Sequence, residues 1–243
     1  KLPDLHRLDP GRPEREIREK LGYLGPIDFF DHHLSHAASA YYFSGFDEAA
    51  VLTVDGVGEW ATASYGHGRG DALELLQEIE FPSSLGLFYS AITSYLGFRV
   101  NSDEYKVMGL APYGQPRHVE AMRGEVALEM QYFDFVAGAR MFSQRLLDLL
   151  GQPARMRGDE LTAFHKDVAR SAQVVLEEVL LEMARHLRER TGSNNLCMAG
   201  GVALNCVANA RLRRDGPFSD VFVQPAAGDT GACLGAAALS HRQ

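Results

Sequence analysis

Two stretches near the C-terminal end constrain the fold most. "NLCMAGG" (195–201) is a β-rich run closed by a glycine pair, and a helix follows from about Leu204 to Arg213. "DVFVQP" (220–225) is a second such run. It leads into "GDTGACLGAAALSHR" (228–242), a Gly/Ala-rich helix whose small residues permit close packing. Strand, glycine turn and helix, twice in succession, make an α/β lobe in miniature. A chain of 243 residues has room for one large α/β domain or for two small lobes around a cleft.

The upstream half adds to a sheet. "AAVLTVDGVGEWATASYGHG" (49–68) reads as a strand, a tight turn at Gly56 and Gly58, and a second strand; "ALELLQEIEF" (72–81) is a third. Three strands in a meander predict an antiparallel or mixed sheet. "IDFFDHH" (27–33) reads as a short buried strand and "LSHAASAYYFS" (34–44) as a helix ended near Gly45. "SSLGLFYSAITSYLGF" (83–98) is a helix capped by Ser83 or Ser84, and "NSDEYKVMGLAPYG" (101–114) is a polar, turn-rich segment. Residues 115–160 mix helix signals, such as "FSQRLLDLL" (142–150), with loops and carry no motif. From Ala163 to Gly192 the longest periodic segment presents Val168, Ala172, Val175, Leu176, Val179, Leu180, Met183 and Leu187 on one wide apolar face. Residues 1–26 form a charged, Pro-rich irregular lead with the short helix "EREIREKLG", so the domain is expected over 27–243.

Charge and cysteines narrow the class. The net charge of −8 argues against a nucleic-acid partner. No run of about 18 apolar residues exists to span a membrane, and the lead is not a signal peptide. The 3 cysteines, Cys197, Cys206 and Cys233, form no CxxC pair and no disulfide framework, so a cytoplasmic location is expected. Cys197 and Cys206 are expected to pack in the core.

Chemistry concentrates in four places. His32 and His36 stand four apart, which on a helix puts both imidazoles on one face, able to share a cation. Asp55 at a strand end and Asp229 in "AAGDTGA" add carboxylates suited to a divalent metal. Two His and two Asp suit Fe, Mn or Zn, with a capped helix start, a turn starter and an N-cap as the plainer alternatives. His33, about 100° around the helix, is expected to pack behind this set. "DGVGEW" (55–60) and "AGGVALN" (199–205) pair glycines with strand ends, where bared N–H groups can receive phosphate or simply make tight turns. Asp103, Glu104 and Lys106 cluster in a short polar loop. Lys106 can reach a nucleotide phosphate or a carbonyl oxygen, or belong to a solvated charge cluster.

Together, "DHHLSHAASAYYFSGFDEAAVLTVDGVGEWATASYG", "FPSSLGLFYSAITSYLGFRVNSDEYKVMGLAPYG", "CMAGGVALNCVAN" and "QPAAGDTGACLGAA" resemble the carbamoyltransferases of the nodulation and antibiotic-biosynthesis type. The resemblance covers 28–114 and 196–240. It implies an α/β fold of the actin/Hsp70-like (ASKHA) architecture, two ribonuclease-H-like lobes with mixed sheets and flanking helices around a nucleotide. It also implies a Kae1-like domain that takes a carbamoyl group from carbamoyl-adenylate, made from ATP and carbamoyl phosphate. The acceptor is a small-molecule hydroxyl. By resemblance the metal ligands, iron among the candidates, are His32, His36, Asp55 and Asp229. The nucleotide neighbours are Gly56, Gly58, Glu59, Gly200, Gly201 and Asn205, with Lys106 nearby. The family's opening phosphate-binding segment and its C-terminal YrdC-like adenylate-forming domain find no match here. The chain is therefore expected to be the central portion of a longer enzyme, incomplete at its N-terminus.

The expected chemistry has His32, His36, Asp55 and Lys106 as its catalytic groups, a metal acting as Lewis acid, AMP leaving and a hydroxyl attacking. A nucleotide-binding module without catalysis is the first alternative. A tRNA threonylcarbamoyl or hydrogenase-maturation transferase is the second, and a plain zinc hydrolase, lacking the Glu of HExxH, is the last.

Overall fold

A computed structural model describes residues 9–125, 141–142 and 144–242. Of the segment without a motif, 126–140 and 143 lie outside the described residues. The chain divides into two units, one ending at Phe30 and one beginning at Asp31.

In the first unit, α1 (Arg12–Leu21) carries Pro13 in its first turn and stops at Gly22, whose φ of 63° is left-handed. It buries none of its residues. Pairs one turn apart, Arg12–Glu16, Glu14–Arg18 and Glu16–Lys20, line its surface. The strand read into 27–33 does not form: residues 27–31 are irregular and Phe29 is 62% exposed. Its apolar residues pair with no neighbouring strand.

The second unit is built on a five-stranded sheet of order β3-β2-β1-β4-β5. Its strands are β1 (Glu48–Gly58), β2 (Ala61–Arg69), β3 (Ala72–Glu80), β4 (Asn195–Ala199) and β5 (Asp220–Val223). β1, β2 and β3 form the antiparallel meander, while β4 runs parallel to both β1 and β5. The sheet is therefore mixed, as the meander and the two strand–glycine–helix units together require.

Period two decides which core each residue enters. Ala50, Leu52 and Val54 of β1 and Leu196 and Met198 of β4 join one core. Ala49 and Val51 of β1 and Cys197 and Ala199 of β4 join the other. The first core is large. Into it pack α3 (Leu85–Tyr95), with Phe88, Ile92 and Tyr95, and the 29-residue α7 (Ala163–Thr191), with Val175, Leu176 and Leu180. Each such large side chain, once buried, stabilises by roughly 1.5–3 kcal/mol. The second core is thin because α2 (His32–Tyr41) supplies mostly small residues, Ala37 and Ala40 with Tyr41. α9 (Asp229–Arg242) lies directly on α2: a Cβ on Gly235 would overlap the carbonyl oxygen of Ser35.

Local signals resolve as physics directs. Ser84, not Ser83, caps α3, its Oγ accepting from Leu87 N–H at 3.0 Å. α7 stops at Gly192, φ 68°. The polar segment 101–114 is not a loop. It forms α4 (Glu104–Leu110) and a short 3-10 turn (Ala111–Tyr113), because Val107 and Ala111 are buried and anchor it. α5 (Val119–Glu125) and α6 (Gln144–Leu150) follow. After β4 come a 3-10 turn (Gly201–Leu204) and α8 (Cys206–Asp215). The β1–β2 turn falls at Glu59–Trp60, not at Gly56 and Gly58, which stay in the strand where its register shifts.

Candidate active site

α2 begins at His32, the extended Asp31 preceding it (ψ 144°). One turn separates His32 from His36, and their rings meet edge to face at 4.6 Å between centroids. Their Nε2 atoms lie 3.0 Å apart. Asp55 Oδ2 stands 3.1 Å from the first and 3.0 Å from the second. From the start of α9, Asp229 Oδ1 comes to 3.6 Å of His32 Nε2 and 3.5 Å of His36 Nε2. One ligating atom from each of these four residues falls within 4.8 Å of the others. The structure thus brings together all four residues of the expected metal set.

Electrostatics inside the cluster is one-sided. Burial pushes the Asp55 carboxyl up, but hydrogen bonds from His32, His36 and the Gly56 N–H outweigh it and hold it far below the usual carboxylate range. The hydrogen bond to Asp55 raises His32 against partial burial. His36 is fully buried, and its Nδ1 has no hydrogen-bond partner among the described residues.

His33 goes elsewhere. Its Nε2 lies 3.0 Å from the Ala61 carbonyl and its Nδ1 2.5 Å from Thr53 Oγ1, which in turn meets Ser64 Oγ at 2.6 Å. Burial lowers His33 to about 4, so it is a neutral strut between α2 and the sheet.

The glycines act by absence of a side chain. A Cβ on Gly58 would overlap the His32 ring, one on Gly200 (φ 96°) the Val54 carbonyl, and one on Gly201 would stand 2.9 Å from Asp55 Oδ1. The Gly56 N–H donates to Asp55 Oδ1 at 2.7 Å, and the Gly200 N–H to the Ala227 carbonyl at 2.8 Å. These two N–H groups are therefore spent within the fold, and the glycines permit close approach to Asp55.

A cavity of about 710 Å³ opens beside the cluster. Asp55, Gly56, Gly201, Asn205 and Asp229 line it, and Tyr89, Glu104 and Met108 extend it. Lys106, Gly58, Glu59 and Gly200 are not in its lining. Lys106 Nζ instead pairs with Asp103 Oδ1 at 3.0 Å. Cys197 packs in the core as expected, but Cys206 is exposed, because Asn205 takes the cap position and α8 opens with a solvent-facing residue.

Beneath the cavity lies a polar network that the sequence reading missed. Gln173, fully buried on α7, accepts from Tyr89 Oη at 2.8 Å and from Asn205 Nδ2 at 2.9 Å. Its Nε2 donates to Asn205 Oδ1 at 3.1 Å and to Glu177 Oε1 at 3.0 Å. Arg211 donates to the other Glu177 oxygen at 2.8 Å. Asn205 Oδ1 also caps α8 by accepting from Ala208 N–H at 3.0 Å. The signal was present: Gln173 and Glu177 stand one turn apart beside the apolar face of α7.

Residues 14–238 match the family described as Carbamoyltransferase N-terminus. An uncharacterized protein of Synechocystis is 52% identical over 223 residues, 88% of this chain and 36% of that protein. Nodulation protein NolNO of Sinorhizobium fredii is 41% identical over 89% of this chain and 32% of its own. Nodulation protein NolO of Bradyrhizobium diazoefficiens is 40% identical over 86% and 38%. The chain thus spans about a third of the length of these relatives. Full-length HypF, solved in a phosphate- and nucleotide-bound form, shares the fold at TM-score 0.50 and 16% identity, over 93% of this chain and 44% of that one. With the family match covering both the helix that carries His32 and His36 and the strands and helix that carry the aspartates, this chain belongs to the carbamoyltransferase N-terminus family.

Proposed function

We propose that this chain is the metal- and nucleotide-binding part of an O-carbamoyltransferase of the ASKHA architecture, its five-stranded unit serving as one ribonuclease-H-like lobe. The observation that carries the reading is the convergence of His32, His36, Asp55 and Asp229 at one end of a cavity, in a chain of this family.

The donor set fits a cation. Three lone-pair atoms crowd at 3.0, 3.0 and 3.1 Å, which would be repulsive without a proton or metal among them. Two imidazoles and two carboxylates form a mixed N/O set that would suit Fe, Mn or Zn. A cation held there supplies Lewis-acid stabilisation worth several kcal/mol.

The chain's own residues do the rest. The Gly56 N–H fixes the Asp55 carboxylate, and Gly201, having no side chain, leaves room for it. α9 turns its N-terminus toward the cavity through Gly228, Asp229 and Thr230, which favours the adenylate phosphate there. In the reaction, an acceptor hydroxyl oxygen bonds the carbamoyl carbon, the bond from that carbon to the phosphate oxygen breaks, AMP departs and the hydroxyl proton passes to a base. ATP and carbamoyl phosphate supply the adenylate in a separate C-terminal domain of the longer protein.

The test is to give the metal-loaded full-length protein carbamoyl-adenylate and a panel of hydroxylated metabolites. The expected result is a mass gain of one carbamoyl group on an acceptor. Tight binding of the adenylate with every acceptor unmodified would instead establish a binding module. Transfer to tRNA alone would move the chain to the threonylcarbamoyl branch.

A further inference from the structure

The Gln173 side chain is enclosed on α7, and every hydrogen-bonding position of its amide is occupied. A primary amide carries two N–H donors and two lone pairs on its oxygen. The Gln173 oxygen accepts from Tyr89 Oη and Asn205 Nδ2, and its nitrogen donates to Glu177 Oε1 and Asn205 Oδ1. Gln173 and Asn205 thus face one another as an antiparallel amide pair, closed by hydrogen bonds of 2.9 and 3.1 Å.

Two groups that cannot change roles fix which way round the pair stands. The Glu177 carboxylate, paired with Arg211 at 2.8 Å, accepts only, so it takes the Gln173 nitrogen. The Ala208 N–H donates only, so it takes the Asn205 oxygen. With Oδ1 filled by Gln173 and Ala208, N–H is all that Asn205 can offer to Tyr89 or to a ligand. Asn205 and Tyr89 line the cavity, whereas Gln173, Glu177 and Arg211 stand behind them, outside its lining. Apolar side chains would fill this space without the desolvation that buried polar groups incur. The polar chain therefore has a use besides packing.

We propose that Gln173 is a positioning residue: braced by Glu177 and Arg211, it locks Asn205 as a hydrogen-bond donor in the cavity wall, so that this wall takes an acceptor atom of the ligand. The choice of AMP as that ligand rests on the nucleotide reading of the cavity.

Calorimetric titration of the full chain with AMP, beside titration with Mn2+, tests this. The metal set hydrogen-bonds within itself and to Gly56, not to this network, so metal affinity reports an intact fold. In Gln173→Glu a carboxyl oxygen replaces the nitrogen that faces Glu177 and Asn205 Oδ1. Ionised, it repels both; protonated, its O–H restores one donor. The charged and titratable groups around it are Glu177 on α7, Arg211 on α8, Tyr89 on α3 and, acting on Tyr89, Glu104 on α4. Relative to the parent, the AMP affinity of Gln173→Glu should fall about tenfold as pH rises from about 5 to about 9, with Mn2+ affinity within about twofold of the parent's at each pH. Arg211→Met, a part-exposed change outside the cavity, should weaken AMP binding about threefold at neutral pH. AMP binding equal to the parent's in both variants would overturn the proposal, as would a Gln173→Glu deficit flat with pH. A parallel loss of Mn2+ affinity would also overturn it, by making the network a brace for the whole fold. If Gln173→Glu does not fold, Arg211→Met alone decides the matter. If the parent chain binds no AMP, the nucleotide reading fails and this inference falls with it; if the parent binds AMP and the variants match it, only this inference fails.

Discussion

α2 and α4 are both short helices that open with a cluster of titratable residues, and they spend those residues differently. On α4, Lys106 pairs with Asp103 three residues back, Asp103 Oδ2 accepts from the Arg99 N–H at 3.1 Å, and Glu104 Oε1 accepts from the Asn101 N–H at 2.8 Å. Only Ser90, on α3, comes from farther away. On α2, His32 and His36 find their partners across the chain, on Asp55 of β1 and Asp229 of α9. Crowding of polar residues along the sequence is common to both. What separates a site from a well-bonded turn is whether local hydrogen bonds have already saturated the groups.

The largest expected effect tests this division directly. His36→Ala removes a fully buried member of the four-residue set. It should lower affinity for Fe, Mn or Zn by more than about a hundredfold, beyond the 10–100-fold typical of losing a group that merely supports a ligand. Metal content after dialysis and calorimetric titration measure it. Lys106→Met, the matching change on α4, should leave metal affinity within about twofold; equal losses would erase the distinction between the helices.

A smaller effect asks whether helix spacing aims Asp229. Gly235→Ala places a methyl group on the Ser35 carbonyl and must push α9 from α2. Overpacking of this kind costs about 1–3 kcal/mol. Because Asp229 opens the same helix, metal affinity should also fall, by roughly tenfold, equivalent to about 1.4 kcal/mol. A variant that loses stability in urea melts yet binds metal as before would show that the small-residue face serves packing alone.

Much of this was readable in the residues, and the misses share a cause. The His32/His36 pair, the mixed sheet, α7 and the α3 cap rest on local rules of spacing and capping that tertiary packing did not override, while Asp55 and Asp229 reach that pair only through the fold. The strand read into 27–33 failed because apolar alternation says nothing about a pairing partner, and Phe29 has none in the sheet. The turn assigned to Gly56 and Gly58 failed because a glycine marks either a turn or a close approach, and the His32 ring that fills the space at Gly58 comes from 26 positions earlier in the numbering. α4 was missed because Gly109 and Pro112 read as turn signals beside the buried anchors Val107 and Ala111. The Gln173 network was missed because only its Gln173/Glu177 pair is local, while Tyr89, Asn205 and Arg211 join it from elsewhere in the chain.

The smallest effect concerns acid stability on the α4 side. The Arg99 N–H, and then the Lys106 ammonium, hold the Asp103 carboxyl down to about 2, from 3.8. The folded state thus binds this proton less readily than the unfolded chain, so stability rises with pH across that window. The contribution is complete above about pH 4 and fades as pH falls through the folded value of about 2. Asp103→Asn removes it, so the stability difference between parent and variant should shrink steadily from pH 4 toward pH 2, while metal affinity at neutral pH stays unchanged. Urea melts at stepped pH read the first and titration the second. A stability difference flat with pH would mean that the α4 carboxylate is not held by its local partners. Its residues would then be as uncommitted as those of α2, and local saturation would no longer explain why one cluster makes a site and the other a helix start.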